Sequence, residues 1–187
     1  MSAGGVANMV ADPTLRDATE ADLPAVQAIY AHHVAHGTGT FEEEAPDLAE
    51  MTRRWREVRG RGFPWLVAVA EGRVVGYAYA NLFRTRTAFR FTCEDSIYLA
   101  PDWCARGLGT RLLGELLARC TAGGARQMLA VIGDSANLGS IRLHARMGFT
   151  PAGTLRDVGL KFGRWLDVVL MQRALGAGAG PTPATTS

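Results

Sequence analysis

Residues 104 to 110 read CARGLGT, between the apolar segment Ile97, Tyr98, Leu99 and a run of leucines at helical spacing. A strand that turns over glycines into a helix aims backbone N–H groups and the positive end of a helix dipole at one point, which favours a phosphate. Gly107 and Gly109 complete neither known phosphate fingerprint: the third glycine of a dinucleotide fold is missing, and no Lys-Ser or Lys-Thr pair follows as in a P-loop. A lone GLG also serves as an ordinary helix start. Just ahead, Glu94 and Asp95 put two carboxylates on one predicted strand. Strand neighbours point to opposite faces, so little coupling between them is expected, and a solvent-facing edge pair is the plain alternative to a base. His144, in SIRLHARMGF, is either a packed helix residue or a proton carrier. Arg84 and Arg86, in FRTRTAF, suit a carboxylate gripped through paired hydrogen bonds, and equally suit a solvated loop. His32, His33 and His36 have no carboxylate partner at ligand spacing, and the end of a helix accounts for them. No metal is expected. Phe41, Phe83, Phe89 and Phe91 fit a pocket wall or, more simply, the core.

These residues need elements to hold them. TLRDAT, 14 to 19, reads as a short strand, and Thr19 with Asp22 reads as a capping box before a helix that carries Leu23, Val26, Ile29 and Tyr30 and ends near His36 and Gly37. A polar-faced helix is predicted over 47–59. Two apolar segments within 65–82 flank Glu71-Gly72-Arg73, a hairpin signal. A longer strand is predicted over 88–100. The helix after the glycines directs Leu108, Leu112, Leu113, Leu116, Leu117 and Cys120 to the core, QMLAVIG is a buried strand, and SIRLHARMGF is a short helix stopped by Gly148. Segments around TLRDVG and RWLDVVLMQR close the sheet as strands. The order is β-α-α-β-β-β-α-β-α-β-β, an α/β chain with a mixed sheet.

Composition narrows the function classes. With 48% hydrophobic and 20% charged residues over 187 positions, the chain is a globular domain long enough to bury a core without disulfides. A net charge of +2, with arginines scattered among carboxylates, gives no nucleic-acid footprint. Three cysteines lack metal-ligand spacing and a framework pattern, which fits a reducing cytoplasm. No basic leader followed by an apolar stretch opens the chain, and no apolar run nears the ~20 residues of a membrane span. A soluble cytoplasmic protein with no membrane partner is expected. The folded body is expected over 14–175, between tails at 1–13 and 176–187 whose small-residue composition cannot bury enough surface to order itself.

The element order and several separated motifs resemble the GNAT N-acetyltransferase superfamily, whose signature is a turn Q/R-x-x-G-x-G/A between a strand and a helix. The branch most similar is that of the phosphinothricin and methionine sulfoximine acetyltransferases. The likeness is carried by FPWLVAV at 63 to 69, FRTRTAFRFTCEDSIYL at 83 to 99, AVIGDSANLGSIRLH at 130 to 144, GTLRDVGLKFGRWLDV at 153 to 168 and MQR at 171 to 173. The resemblance implies a GNAT fold, a mostly antiparallel sheet of about seven strands with about four helices, and acetyl-CoA as co-substrate. It implies that backbone N–H groups of Ala105, Arg106, Gly107, Leu108, Gly109 and Thr110 hold the pyrophosphate, with both glycines giving close approach. It further implies that Ile97, Tyr98 and Leu99 pair with the pantetheine arm as a strand would. Asn137 and Ser140 match pantetheine positions; as preferred N-cap residues they also suit a helix start. One departure stands out: Cys104 occupies the signature's Arg or Gln position, with Arg106 as a substitute charge.

Acetyl transfer to an amine needs a base for the ammonium proton, a donor for the developing oxyanion and a proton for the leaving thiolate. The resemblance assigns the base to Glu94 and a proton-transfer role to His144, either protonating the thiolate or assisting deprotonation. It puts Arg84 and Arg86 on a substrate carboxylate, with Asp95 and Ser96 beside the acceptor. It therefore implies an enzyme acting on the amine of a small amino-acid-like molecule, working as a homodimer. Two rivals are acetylation of protein N-termini and a non-catalytic acyl-CoA-binding module.

Overall fold

The computed structural model describes residues 12–181. Strands β1 (Thr14–Asp17), β2 (Trp65–Ala70), β3 (Arg73–Leu82), β4 (Thr92–Leu99), β5 (Gln127–Gly133), β6 (Thr150–Lys161) and β7 (Arg164–Ala174) form one sheet in the order β1-β2-β3-β4-β5-β7-β6. Helices α1 (Leu23–His36), α2 (Leu48–Gly60), α3 (Leu108–Ala122) and α4 (Leu138–Arg146) pack on it. The predicted order holds element by element. Differences lie at ends: β1 stops at Asp17, and β4 begins only at Thr92 because Thr87–Phe89 coils into a 3₁₀ turn whose flanking residues face solvent. The expected tails at 1–11 and 182–187 lie outside the described residues, and Gly176 to Pro181 form turns, with Pro181 O accepting from Arg126.

Every neighbouring pair is antiparallel except β4 and β5, which run parallel because α3 carries the chain back between them. That parallel join is brief, running from Thr92 opposite Gln127 to Asp95 opposite Ala130. Beyond it, Ser96–Leu99 remain bonded to β3 on their outer side, and Val131–Gly133 to β7. The two strands therefore splay, and each turns into the gap a backbone edge that no strand pairs.

The core explains why the gap holds its shape. All six α3 residues expected inward are buried, with Leu66 and Met128 beneath them, while Trp65 and Tyr77 stack with Tyr79 and Tyr98 on the other face of the sheet. Fully burying each large apolar side chain contributes about 1.5–3 kcal/mol. On the opposite face, α1 buries Leu23, Val26, Ile29, Tyr30 and Val34. Its start is pinned by Asp22, whose carboxylate accepts from the Thr19 backbone N–H at 2.7 Å and from both terminal nitrogens of Arg16. Asp22 is accordingly held down to about 2 by the Arg16 hydrogen bonds against the cost of burial.

Candidate functional site

The splay opens a cleft of about 830 Å³, lined by the exposed ends of β4 and β5, the entry to α3 and the first turns of α4. Cys104, Ala105, Gly107, Gly109 and Thr110 line one end. Ala105 and Gly107 both have positive φ, 59° and 79°, so the chain coils tightly before α3 begins at Leu108. Thr110 N–H and Arg111 N–H both return to Gly107 O, which leaves the N–H groups from Ala105 to Gly109 free to face an anion. Leu108 itself points into the core. The two glycines divide the labour differently from expectation. A Cβ on Gly107 would meet nothing within 4 Å, so its requirement is conformational, whereas a Cβ on Gly109 would meet Leu143 Cδ2 at 3.2 Å. Gly109 lets α3 approach α4. Arg106 leans over the Trp103 ring at 5.3 Å and lines a smaller neighbouring hollow with Arg111 and Arg146, while Cys104 is exposed with its thiol toward Ala100 O.

At the apex of the splay, alternation along β4 sends successive side chains to opposite faces. Glu94 turns toward the face of α1, where Tyr98 meets Tyr30 edge-on at 5.0 Å and Ser96 lies opposite Tyr79 in register. Burial, and secondarily the Asp95 charge, push Glu94 up to about 7, with Arg84 pulling the other way. The coupling to Asp95, expected to be small, is thus the second cause of that shift. Arg84 lies over Phe83 and Arg86 is exposed; of the pair, Arg84 is the one whose charge reaches Glu94. Phe41, Phe83, Phe89 and Phe91 stay outside the core, part-exposed around this side.

Asp95 takes the other face. It was expected beside the acceptor with Ser96, yet its Oδ2 lies 3.0 Å from His144 Nε2, with both side chains 2% exposed. His144 is delivered by α4, whose N-cap is Asn137: its Oδ1 accepts from Ser140 N–H, so capping is its observed role while it also lines the cleft. The helix ends as expected at Gly148, φ 82°, with Phe149 N–H returning to His144 O and Gly148 N–H to Ala145 O. The Phe149 hydrogen bond fixes the residue that carries the imidazole. The Phe149 ring closes against it edge-on at 5.0 Å.

Several cleft residues escape a reading by motif. His33 hydrogen-bonds Leu99 O at 2.8 Å through Nε2, tying α1 to the free end of β4, and burial keeps its pKa below the usual range. Lys161 is 1% exposed and donates to Gly37 O and Thr40 O at 2.9 and 2.8 Å, which clamps the 37–40 loop at the cleft's rim. That loop and Phe41 after it fit over two glycines: a Cβ on Gly133 would strike Thr38 O, and one on Gly159 would strike the Phe41 ring. A charged residue at the end of an apolar strand, LKF, was the available signal for Lys161. Among the described residues no group of His, Cys, Asp and Glu could hold a metal ion.

The cleft suits a long, thin ligand with a phosphorylated end: a glycine-coiled helix start at one end, two bare strand edges along the middle and titratable groups on both faces of the apex. The profile of the family described as Acetyltransferase (GNAT) family matches residues 26–149. Phosphinothricin N-acetyltransferase of Alcaligenes faecalis is 53% identical over 170 residues, 91% of this chain and 86% of that protein. An L-methionine sulfoximine/L-methionine sulfone acetyltransferase of Pseudomonas paraeruginosa is 44% identical, over 85% of this chain and 92% of its own length. The crystal structure of a GNAT superfamily phosphinothricin acetyltransferase from Sinorhizobium meliloti in complex with acetyl-CoA superposes with a TM-score of 0.91 at 48% identity, covering 94% of this chain and 95% of that one.

Proposed function

Because the chain belongs to the Acetyltransferase (GNAT) family, we propose that it carries the acetyl group of acetyl-CoA to the α-amino group of a small amino-acid-like acceptor of the phosphinothricin, methionine sulfoximine or methionine sulfone type. The observation that carries this reading is Glu94, a half-buried carboxyl pushed up to about 7 at the apex of the splayed strands. A base of that strength is half ionised near neutrality and matched to the removal of a proton from an ammonium group. The names and identities of the Alcaligenes and Pseudomonas relatives support the acceptor class.

In this reading acetyl-CoA supplies the activated acetyl group, and the chain's residues do the rest. The free N–H groups from Ala105 to Gly109, with the Thr110 side chain beside them, hold the pyrophosphate, and the edge of Ile97, Tyr98 and Leu99 left unpaired by β5 bonds the pantetheine amides, with Asn137 and Ser140 across from them. Glu94 takes the ammonium proton on the α1 face. Arg84 and Arg86 receive the acceptor carboxylate, and Ser96 lines the acceptor side. His144 meets the sulfur from the α4 face. A non-catalytic acyl-CoA-binding module would have no use for a base poised in this way.

The folded enzyme spans 14–175 and works in the cytoplasm, where its free thiols stay reduced. It assembles as a homodimer through the edge strand β6, which exposes Leu155, Val158 and Leu160, with Phe162 and Trp165 beyond it. The test is an amine panel assayed for thiol release from acetyl-CoA, including phosphinothricin, methionine sulfoximine, methionine sulfone and a short peptide. Turnover of the small zwitterions and not of the peptide is expected; turnover of the peptide alone would transfer the reading to protein N-termini, and silence on all amines would favour the binding module.

A further inference from the structure

His144 offers a proton count that the hydrogen bonds settle. Its Nδ1 lies 2.8 Å from the carbonyl oxygen of Ser140, a group that only accepts, so Nδ1 carries a hydrogen. The Ser140 hydroxyl, at 3.3 Å, is the weaker neighbour. Nε2 then faces Asp95 Oδ2 at 3.0 Å inside the protein, and a second hydrogen must stand between them, since a bare nitrogen opposite a bare carboxylate would set lone pair against lone pair. The other oxygen of Asp95, Oδ1, is buried without a partner among the described residues, and Asp95 and His144 both line the cleft.

We infer that Asp95 is a positioning residue for acetyl transfer, which keeps His144 as an imidazolium so that the ring delivers the proton required by the leaving thiolate. This rests on the acetyl-transfer reading above and removes the ambiguity in the role of His144. The C–S bond of the thioester breaks with its electron pair on sulfur; the Nε2–H bond of His144, beside Asp95 at the cleft, breaks and an S–H bond forms, while Nδ1–H stays on the Ser140 carbonyl. The neutral ring is then left against the Asp95 carboxylate, an arrangement that draws a proton back from water and resets the pair. Meanwhile Glu94, on the opposite face of the same strand, holds the proton taken from the amine. One strand thereby keeps base and acid apart by directing adjacent carboxylates to different faces.

The surroundings favour the charged ring. Burial alone lowers the His144 pKa, but the hydrogen bond and charge of Asp95, with the Ser140 carbonyl, more than reverse this and leave it raised. Along β4 the titratable neighbours of Asp95 are Cys93 and Glu94, with Cys120 of α3 behind Cys93. β3 and β5 oppose Asp95 with Ala80 and Ala130, which carry no charge.

The test starts without any substrate. In protein labelled with ¹⁵N-histidine, the His144 signals are identified among the four histidines by their loss in H144Q. At pH 7 both ring nitrogens should show imidazolium shifts in the parent, and Asp95→Asn should convert His144 to the neutral form protonated at Nδ1. In turnover, Asp95→Asn should lower kcat at pH 8 roughly 10²-fold and move the alkaline limb of the profile down by about 1–3 pH units, so that activity partly returns on acidification. A neutral His144 in the parent at pH 7 would overturn the inference, as would a loss in Asp95→Asn that is equal at every pH. If no amine is acetylated, the functional reading fails, and the spectrum still decides this one.

Discussion

In the proposed reaction Glu94 would serve chemistry at the expense of the fold. Its carboxyl titrates near 7 in the folded protein because burial, and then Asp95, penalise its charge. A base must be ionised, so kcat/KM should rise with pH along an acid limb centred near 7, and Glu94→Gln should remove that limb and slow the chemical step by roughly 10²–10⁴-fold. The stability effect has the opposite sign. Between the ordinary carboxyl value of 4.5 and about 7 the folded state binds more protons than the unfolded one, so Glu94 makes the protein less stable as pH rises through this window. Glu94→Gln should therefore melt above the parent at pH 8, with the gap shrinking toward pH 4, as thermal scans at several pH values would register. Lys161 shows the reverse economy. Its ammonium satisfies two carbonyls of the 37–40 loop from within the protein, and Lys161→Met would strand them at a cost of about 1–3 kcal/mol. The same change should raise KM for the acceptor by loosening the rim, while KM for acetyl-CoA moves less.

Elements were legible in sequence where one periodicity ruled, and contacts between elements were not. Leucine spacing announced α3, and Asn137 and Gly148 bracketed α4, because caps and apolar faces are local properties. Motif resemblance singled out Glu94 and His144, which the fold brings to opposite faces of one strand, and alternation correctly separated Glu94 from Asp95. What alternation could not supply was the partner of Asp95, since His144 lies 49 positions away and arrives only through the packing of α4. Gly109 is the same lesson: as sequence it belongs to a phosphate loop, in three dimensions it is the seat of Leu143. Gly109→Val should consequently destabilise the fold by about 1–3 kcal/mol through overpacking, and Leu143→Ala in the same chain should recover part of the loss. Gly107→Ala would act through strain at φ 79° instead, costing about 1–2 kcal/mol, with no rescue from Leu143→Ala. Melting the three single variants and the two double mutants separates the two causes.

At the scale of the whole molecule, β6 ends the sheet with nine consecutive exposed residues from Thr150 to Val158, and Trp165 on its partner strand is 63% exposed. An edge of this kind invites pairing unless it is covered. Leu160→Asp with Trp165→Asp should shift the sedimentation of the protein from dimer to monomer; a parent already monomeric at micromolar concentration would exclude this face. The other whole-molecule feature is the short parallel join between β4 and β5, which alone stitches β1–β4 to the β5, β7 and β6 half of the sheet. A ligand bonded to both bare edges acts as a suture across that seam, and at a hundred times its Kd it stabilises the folded state by about 2.7 kcal/mol. Amides along the seam should then exchange more slowly with acetyl-CoA present, and protease digestion should slow in step. In a cell where degradation follows opening of this seam, the abundance of the enzyme would track the supply of its acetyl donor, so that starvation for the metabolite removes the catalyst along with the substrate.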